Sequence, residues 1–158
     1  FGAQPSSSPE LGGAIETTLV AGGRPLLLAP KGVQAIGDRV AIAWNGSAES
    51  ARALAYGLPF VEAASVVHVL TAETWRTQFA VTEDLVDYFA WRGIVCERRA
   101  IAVDDEAVGA ALLRAASEAG ADLMIMGGYG RSRLRELVLG GVTRHVLTHA
   151  QLPVLLAH

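Results

Sequence analysis

Cysteine is almost missing from this chain of 158 residues: Cys96 is the single one. One thiol cannot build a disulfide framework, so the sequence suits a reducing compartment, and Cys96, in a strand-like run, reads as a small buried hydrophobe rather than a reactive group. Blocks of like charge are missing as well. The net charge of -3 is spread over interspersed acids and bases, and no basic run offers the surface that DNA or RNA requires, so nucleic acid is excluded as a partner. No apolar run approaches the roughly 20 residues that cross a bilayer. No charged-then-apolar leader stands at the amino end either, and the chain reads as cytoplasmic with no membrane partner.

Catalytic signatures are equally scarce. No serine or cysteine sits in a nucleophile elbow, and no lysine follows a glycine loop as it does in a P-loop. His145 and His149 share a helix face at i and i+4, but the glutamate of a zinc-protease helix is absent and no third ligand is apparent, so no metal is expected. His68, between Val67 and Val69, reads as a hydrogen-bonded strand residue. Glu136 fits a surface or capping charge better than a water-orienting base. No catalytic residue is assigned.

What is present is alternation. Apolar residues make up 51% of the chain, enough for one α/β domain with its own core. After Pro30 a connection, 31–37, leads to a first strand from Arg39 to Trp44. Asn45-Gly46-Ser47 turns the chain, and Ser47 is placed to cap a helix with Ala51, Leu54, Ala55 and Leu58 on its apolar face, ended by Pro59. A second strand spans 65–70. A helix over 81–92 turns Leu85, Val86 and Phe89 inward, and a third strand spans 94–101. Asp104 and Asp105 open a long helix that stops at Gly120. A fourth strand, Leu123 to Met126, precedes a helix from Val142 to Ala150, and a last strand follows Pro153. Strict alternation predicts a parallel sheet with helices on both faces. Ligands of such sheets lie beyond the carboxyl ends of the strands, where the winding reverses.

The stretch that carries chemistry is the turn after the fourth strand. Gly127 and Gly130 are separated by two residues, nine more precede Gly140, and Gly141 stands just before the last helix. The turn offers an anion bare backbone N–H groups at its first glycines and the positive end of a helix at its second pair. Phosphate is the natural guest.

The chain also repeats itself. With an offset of 128, residues 2–30 align without a gap on residues 130–158. Gly2, Leu11, Gly12, Gly13, Leu19, Pro25, Leu27, Leu28 and Ala29 meet identical residues, which is nine in 29 pairs. This is an internal repeat. It predicts that residues 1–30, which begin with Phe1, are the tail of a preceding copy (loop, helix and last strand), with 31–37 as linker and 38–158 as the complete domain. The first copy has Ala3-Gln4-Pro5-Ser6-Ser7 where the second has Arg131-Ser132-Arg133-Leu134-Arg135, so only the second keeps cations in its loop.

The glycine spacing, with the strand before it and the helix after it, closely resembles the nucleotide-binding motif of the universal stress protein family. Ala41-Ile42-Ala43-Trp44-Asn45-Gly46-Ser47 and Val66-Val67-His68-Val69 extend the likeness over about 120 residues. The resemblance implies the second domain of a tandem member. It implies a Rossmann-like, adenine nucleotide alpha-hydrolase-like fold, α/β with a five-stranded parallel sheet in the order 3-2-1-4-5. It implies ATP, or ADP or AMP, as ligand, with Mg held only through the phosphates, and a sensor or regulatory role with at most very slow ATP hydrolysis. By the same resemblance adenine lies against Ala43, Trp44 and Val69, and the ribose near Asn45 and Gly127, with Met126 and Gly128 also among the nucleotide-binding residues. The phosphates lie among Gly130, Arg131, Arg133, Gly140, Gly141, Val142 and Thr143. Two departures stand out: Gly141 replaces the family's Ser or Thr after the last glycine, and Asn45 replaces its usual aspartate, which weakens binding. The family also pairs its last strand with that of a second domain, which implies a homodimer or intramolecular pairing through 26–29 and 154–157. Two other readings fit the same residues. One is a dimerising interaction module that binds no nucleotide. The other is an enzyme of the wider alpha-hydrolase-like group, against which stands Asn45-Gly46-Ser47 in place of that group's Ser-Gly-Gly loop.

Overall fold

Six strands form a single sheet in the order β1-β6-β5-β2-β3-β4. The computed structural model describes residues 14, 15, 17–73, 80–103, 107–128 and 141–158. The strands are β1 Leu26–Leu28, β2 Arg39–Ala43, β3 Val66–Glu73, β4 Cys96–Ala102, β5 Leu123–Gly127 and β6 Val154–Ala157. Between them run α1 Ala48–Ala63, α2 Ala80–Trp91, α3 Val108–Glu118 and α4 Gly141–His149. The expected all-parallel sheet of five strands in the order 3-2-1-4-5 is therefore corrected to six strands in a mixed sheet. The additional strand, β1, lies antiparallel on β6 at the edge, and β2 to β6 pair parallel to one another.

The central strands are buried on both faces, which is why Val40, Ala41, Ile42, Leu123, Met124 and Ile125 read as continuous apolar runs. Two core layers result. Ile42, Val69, Leu85, Phe89 and Ile125 pack under α1 and α2, while Ala41, Leu70, Ala115, Met124 and Leu156 pack under α3 and α4. Ile15 and Leu19, from the short helical turn that ends with Thr17–Ala21, are buried in the second layer. Cys96 is half-buried against the first layer, and burial pushes its thiol above its ordinary value despite Arg98 nearby. The thiol is correspondingly unreactive.

Several boundaries move for physical reasons. α1 does not stop at Pro59 but runs on to Ala63. Its last turn carries Val61, which is buried, and the burial of that turn offsets the hydrogen bond that proline cannot make. Its buried face is also rotated from the expected one: Glu49, Ala53, Gly57 and Val61 at spacings of four, with Ser50 and Leu54, face the sheet. Gly57 permits this, since a Cβ there would lie 2.5 Å from Ile125 Cδ1 and 3.1 Å from Leu155 Cδ2. β3 extends to Glu73, beyond the expected end at Leu70, because β4 pairs with it as far as Ala102. α3 begins at Val108 behind an extended Ala107 at its N-cap, which corrects the expected start at Asp104 and Asp105, residues that themselves lie outside the described ones. It closes as expected at Gly120, which has φ +63°.

The amino ends of the strands are tied by charge. The Asp122 carboxylate accepts N–H bonds from Gly37, Asp38 and Arg39 at 2.9, 3.1 and 3.1 Å. The Arg39 guanidinium in turn donates to the Ala119 carbonyl at 2.9 Å, placing a cation at the carboxyl end of α3. The outer edge, β4, carries Glu97, Arg98 and Arg99, charges that discourage pairing with another chain.

His68 is corrected from a hydrogen-bonded residue to a buried one without hydrogen bonds. It is 1% exposed; Nδ1 lies 3.2 Å from Oε2 of Glu97 without a bonding geometry, and neither ring nitrogen has a partner. Burial, aided by Arg99 and Arg39, lowers its pKa from 6.5 against the opposite pulls of Glu97 and the Ala119 backbone. The native state thus disfavours the imidazolium. Its contribution to stability is present above pH 6.5 and is lost as the pH falls through 6.5 towards the depressed native value. Thermal melts between pH 8 and pH 5 are expected to show a decline beginning near 6.5 that His68→Val flattens; an unchanged decline in the variant would assign it to other groups.

Candidate functional site

The winding of the sheet reverses between β2 and β5. From β2 the chain steps outward through β3 to β4, then crosses back to β5 and on to β6. The two neighbours run in register, Ala43 opposite Met126 and Ile42 opposite Ile125. Their carboxyl ends therefore part at one place, where a doubly wound sheet leaves a crevice.

On the β2 side, Ala43 and Trp44 are half-buried and Asn45 is exposed. Trp44 N–H donates to the Leu70 carbonyl at 2.9 Å, which carries the β2–β3 ladder one residue past the strand. Asn45 Oδ1 accepts from Ser47 N–H at 3.1 Å, and Gly46 takes φ +71°, so this asparagine shapes the turn from its side chain. Ser47 then caps α1, its Oγ accepting from Ser50 N–H at 3.1 Å. On the β5 side, Met126 is buried in the core, and Gly127 lies flush under the first turn of α1. A Cβ at Gly127 would stand 2.5 Å from Ser50 N and 2.9 Å from Glu49 Cβ.

Gly128 corrects one expectation. Its N–H is not bare but donates to the Ala157 carbonyl at 2.9 Å, while its carbonyl lies 3.3 Å from His158 Nδ1. Gly130, Arg131, Arg133 and Gly140 lie outside the described residues. The first turn of α4 is described. Gly141 is exposed, with nothing among the described residues within 4 Å of where a Cβ would stand, and no acidic residue occupies that turn. Thr143 is buried, and its side chain meets Gly128, Cγ2 at 3.5 Å and Oγ1 at 3.9 Å from the position of an added Cβ. The helix is held there by Gly109 of α3, where a Cβ would be 2.8 Å from His145 Cβ and 3.0 Å from the Val142 carbonyl.

The structure thus brings Ala43, Met126 and Gly127 together across β2 and β5, and Gly128 beside Thr143. It keeps Val69 apart from any surface: that side chain is wholly buried in the core beneath α1 and α2. A separate hollow of about 350 Å³ lies at the carboxyl ends of β3 and β4, with Thr71, Thr82, Glu83 and Arg98 among its walls, and its Arg98 and Glu83 are paired at 2.8 Å. His145 and His149 stack with centroids 4.2 Å apart, and His149 Nδ1 lies 2.9 Å from the His145 carbonyl. Among the described residues no group of three or more His, Cys, Asp or Glu could hold a metal. Nor is any described helix long and apolar enough to cross a membrane. Sequence reasoning passed over Glu49, whose side chain is buried at this end of the sheet. The repeat of Glu49, Ala53, Gly57 and Val61 at spacings of four was the available signal.

A parallel sheet reversing at β2 and β5, with a glycine turn leading into α4, defines a doubly wound α/β domain. The chain belongs to the universal stress protein family: the profile of the universal stress protein family matches residues 37–158. Solved structures agree on the fold. A universal stress protein from Archaeoglobus fulgidus DSM 4304 superposes with a TM-score of 0.72 at 20% identity, over 85% of this chain and 51% of its own, so the present chain spans about half the length of that relative. A universal stress protein solved in complex with cAMP superposes with a TM-score of 0.61 at 26% identity, covering 77% of this chain and 96% of its own. The universal stress protein UspA from Lactobacillus plantarum gives 0.57 at 13% identity, covering 79% of this chain and the whole (100%) of its own. A comparison with curated proteins found no match.

The contact at Gly127 generates a stability prediction. Gly127→Ala forces a methyl against the backbone of Ser50 and Glu49, which can yield only by lifting the first turn of α1. The expected cost is about 1–3 kcal/mol, read as a clearly lower melting temperature; an unchanged one would show that the turn moves freely.

Proposed function

We propose that this domain binds ATP, or ADP or AMP, in the crevice between β2 and β5 and acts in the cytoplasm as a sensor or regulator rather than through turnover. The observation that carries the reading is the first turn of α4, which holds no acid and, among the described residues, no atom against Gly141, with Thr143 buried beside Gly128. That turn suits phosphate oxygens. Thr143 offers the hydroxyl that Gly141 lacks, and Arg131 and Arg133 supply charge, with any Mg held through the phosphates alone. The relative solved with cAMP supports an adenine nucleotide as the class of ligand. A helix end contributes only about 0.3–2 kcal/mol of the roughly 8 kcal/mol that micromolar affinity requires. Burial of the base against Ala43 and Trp44, and the two arginines, must supply most of the remainder.

ATP at millimolar concentration is expected to raise the melting temperature of the purified protein. Thr143→Val is expected to weaken ATP about tenfold, the worth of one hydroxyl contact, while leaving the melting temperature without nucleotide unchanged. No shift with ATP, ADP or AMP would favour the second reading, an interaction module of the same fold.

The pairing of β1 with β6 bears on that module and on the domain organisation. Leu26, Leu27 and Leu28 face Leu156, Leu155 and Val154, and the repeat offset of 128 maps Leu27 onto Leu155 and exchanges the two outer pairs. Equivalent strands thus meet about a local two-fold, the relation of an isologous interface. We infer that residues 1–30 are the tail of a preceding repeat that occupies the dimerisation edge. Removal of residues 1–30 is expected to yield a dimer of the remaining domain by light scattering, with β6 paired to β6; a monomer of unchanged stability would oppose it.

A further inference from the structure

We propose that Glu49 is a ligand-binding residue that accepts hydrogen bonds from the ribose hydroxyls and so selects ribonucleotides over their deoxy counterparts. The inference rests on the nucleotide reading above and adds a residue which that reading does not use.

Glu49 is 5% exposed, and its Oε1 is sealed from solvent with no hydrogen-bond partner. A buried carboxylate oxygen without a donor costs stability, and such groups in native proteins are ordinarily satisfied by something. The fold shows why the residue stands there. Its backbone and Cβ rest on Gly127, with 2.9 Å between Glu49 Cβ and the position of a Cβ on that glycine. Side chains in a helix lean towards its N-terminus. For α1, which follows β2 through the turn at Asn45, that is the carboxyl end of β2 and β5, where the crevice opens.

The chemistry of the missing donor follows by exclusion. An anion is repelled by the carboxylate. A divalent cation needs several hard oxygen ligands, and among the described residues no acidic cluster accompanies Glu49, while the positive end of α1 opposes a metal. The donors that fit are neutral hydroxyls, a water or a ligand's own, and a nucleotide in this crevice carries one in its ribose. The two helix ends then divide the ligand between them. α1 presents an acid in its first turn and takes the hydroxyls; α4 has none and takes the phosphates. Asn45 commits one lone pair of its side-chain oxygen to Ser47 N–H, so Glu49 adds the wholly unengaged acceptor.

The test compares ATP with 2′-deoxy-ATP and 3′-deoxy-ATP by calorimetry on the full chain and on Glu49→Gln and Glu49→Ala. Hydrogen bonds to a charged acceptor are worth about 1.5–3 kcal/mol, so the native chain is expected to prefer ATP over at least one deoxy analogue by about 10-fold to 100-fold. Glu49→Gln is expected to shrink that preference, and Glu49→Ala to abolish it by weakening ATP to the level of the analogue. Without nucleotide, Glu49→Gln, which keeps the buried shape, is expected to melt no lower than the native chain, since no partner is lost; a marked drop would assign Glu49 a structural role and overturn the proposal. Equal affinity of the native chain for ATP and both analogues would overturn the proposal while leaving nucleotide binding intact. Binding of none of the three would overturn the nucleotide reading and this one with it.

Discussion

The contact on which the carboxyl end of the sheet depends is the one between Gly127 and the first turn of α1. Two elements distant in sequence meet there with no side chain between them, since even a methyl would reach 2.5 Å from Ser50 N. The closeness fixes three things at once. It sets the tilt of α1 over β5 and β6, which Gly57 continues further down the helix. It also buries Glu49 at the mouth of the crevice, and it holds the Asn45 turn beside the end of β5. Interiors packed to native density transmit such a constraint without slack.

The opposite end of the sheet is organised by charge rather than by closeness. Asp122 gathers three backbone N–H groups at the start of β2, and Arg39 carries the tie on to the last carbonyl of α3. One end is thus bound by ionic hydrogen bonds, with the unpartnered His68 ring nearby, whereas the other keeps an orphaned carboxylate oxygen on Glu49. Proteins tolerate unmet polar groups mainly where function needs them.

Much of this was legible beforehand because period and punctuation agree in the sequence. Leu123 to Met126 is an apolar run closed by glycines, and it is a buried strand; Gly120 was placed to end α3 and does so at positive φ. What escaped was tertiary. Pro59 signals a helix end by local rules, but the burial of Val61 overrules it. The expected face of α1 at Ala51, Leu54 and Ala55 was rotated because a glycine, Gly57, contributes to burial by its smallness, which hydrophobicity does not register. Gly128 looked like a bare amide in a turn, yet whether an amide is free depends on its neighbour, here the Ala157 carbonyl. At the site the spacing of glycines was readable. Glu49 was not, because a charged residue is presumed to face water until packing places it.

The two outer edges show how the same hazard is met in opposite ways. β4 is left unpaired among the described strands and carries Glu97, Arg98 and Arg99, whose charges make another strand unwelcome. β6 is Val-Leu-Leu-Ala, buried along its whole length, and no charge protects it. An apolar edge of that kind demands a cover, and the chain provides one in Leu26–Leu28, paired about a local two-fold with its own sequence equivalents. The two strands were therefore selected for one another as halves of a self-complementary surface, while β4 was selected against partners. The pairing of β1 with β6 lies at the edge of the sheet, two strands from β2, so it does not touch the junction of β2 and β5.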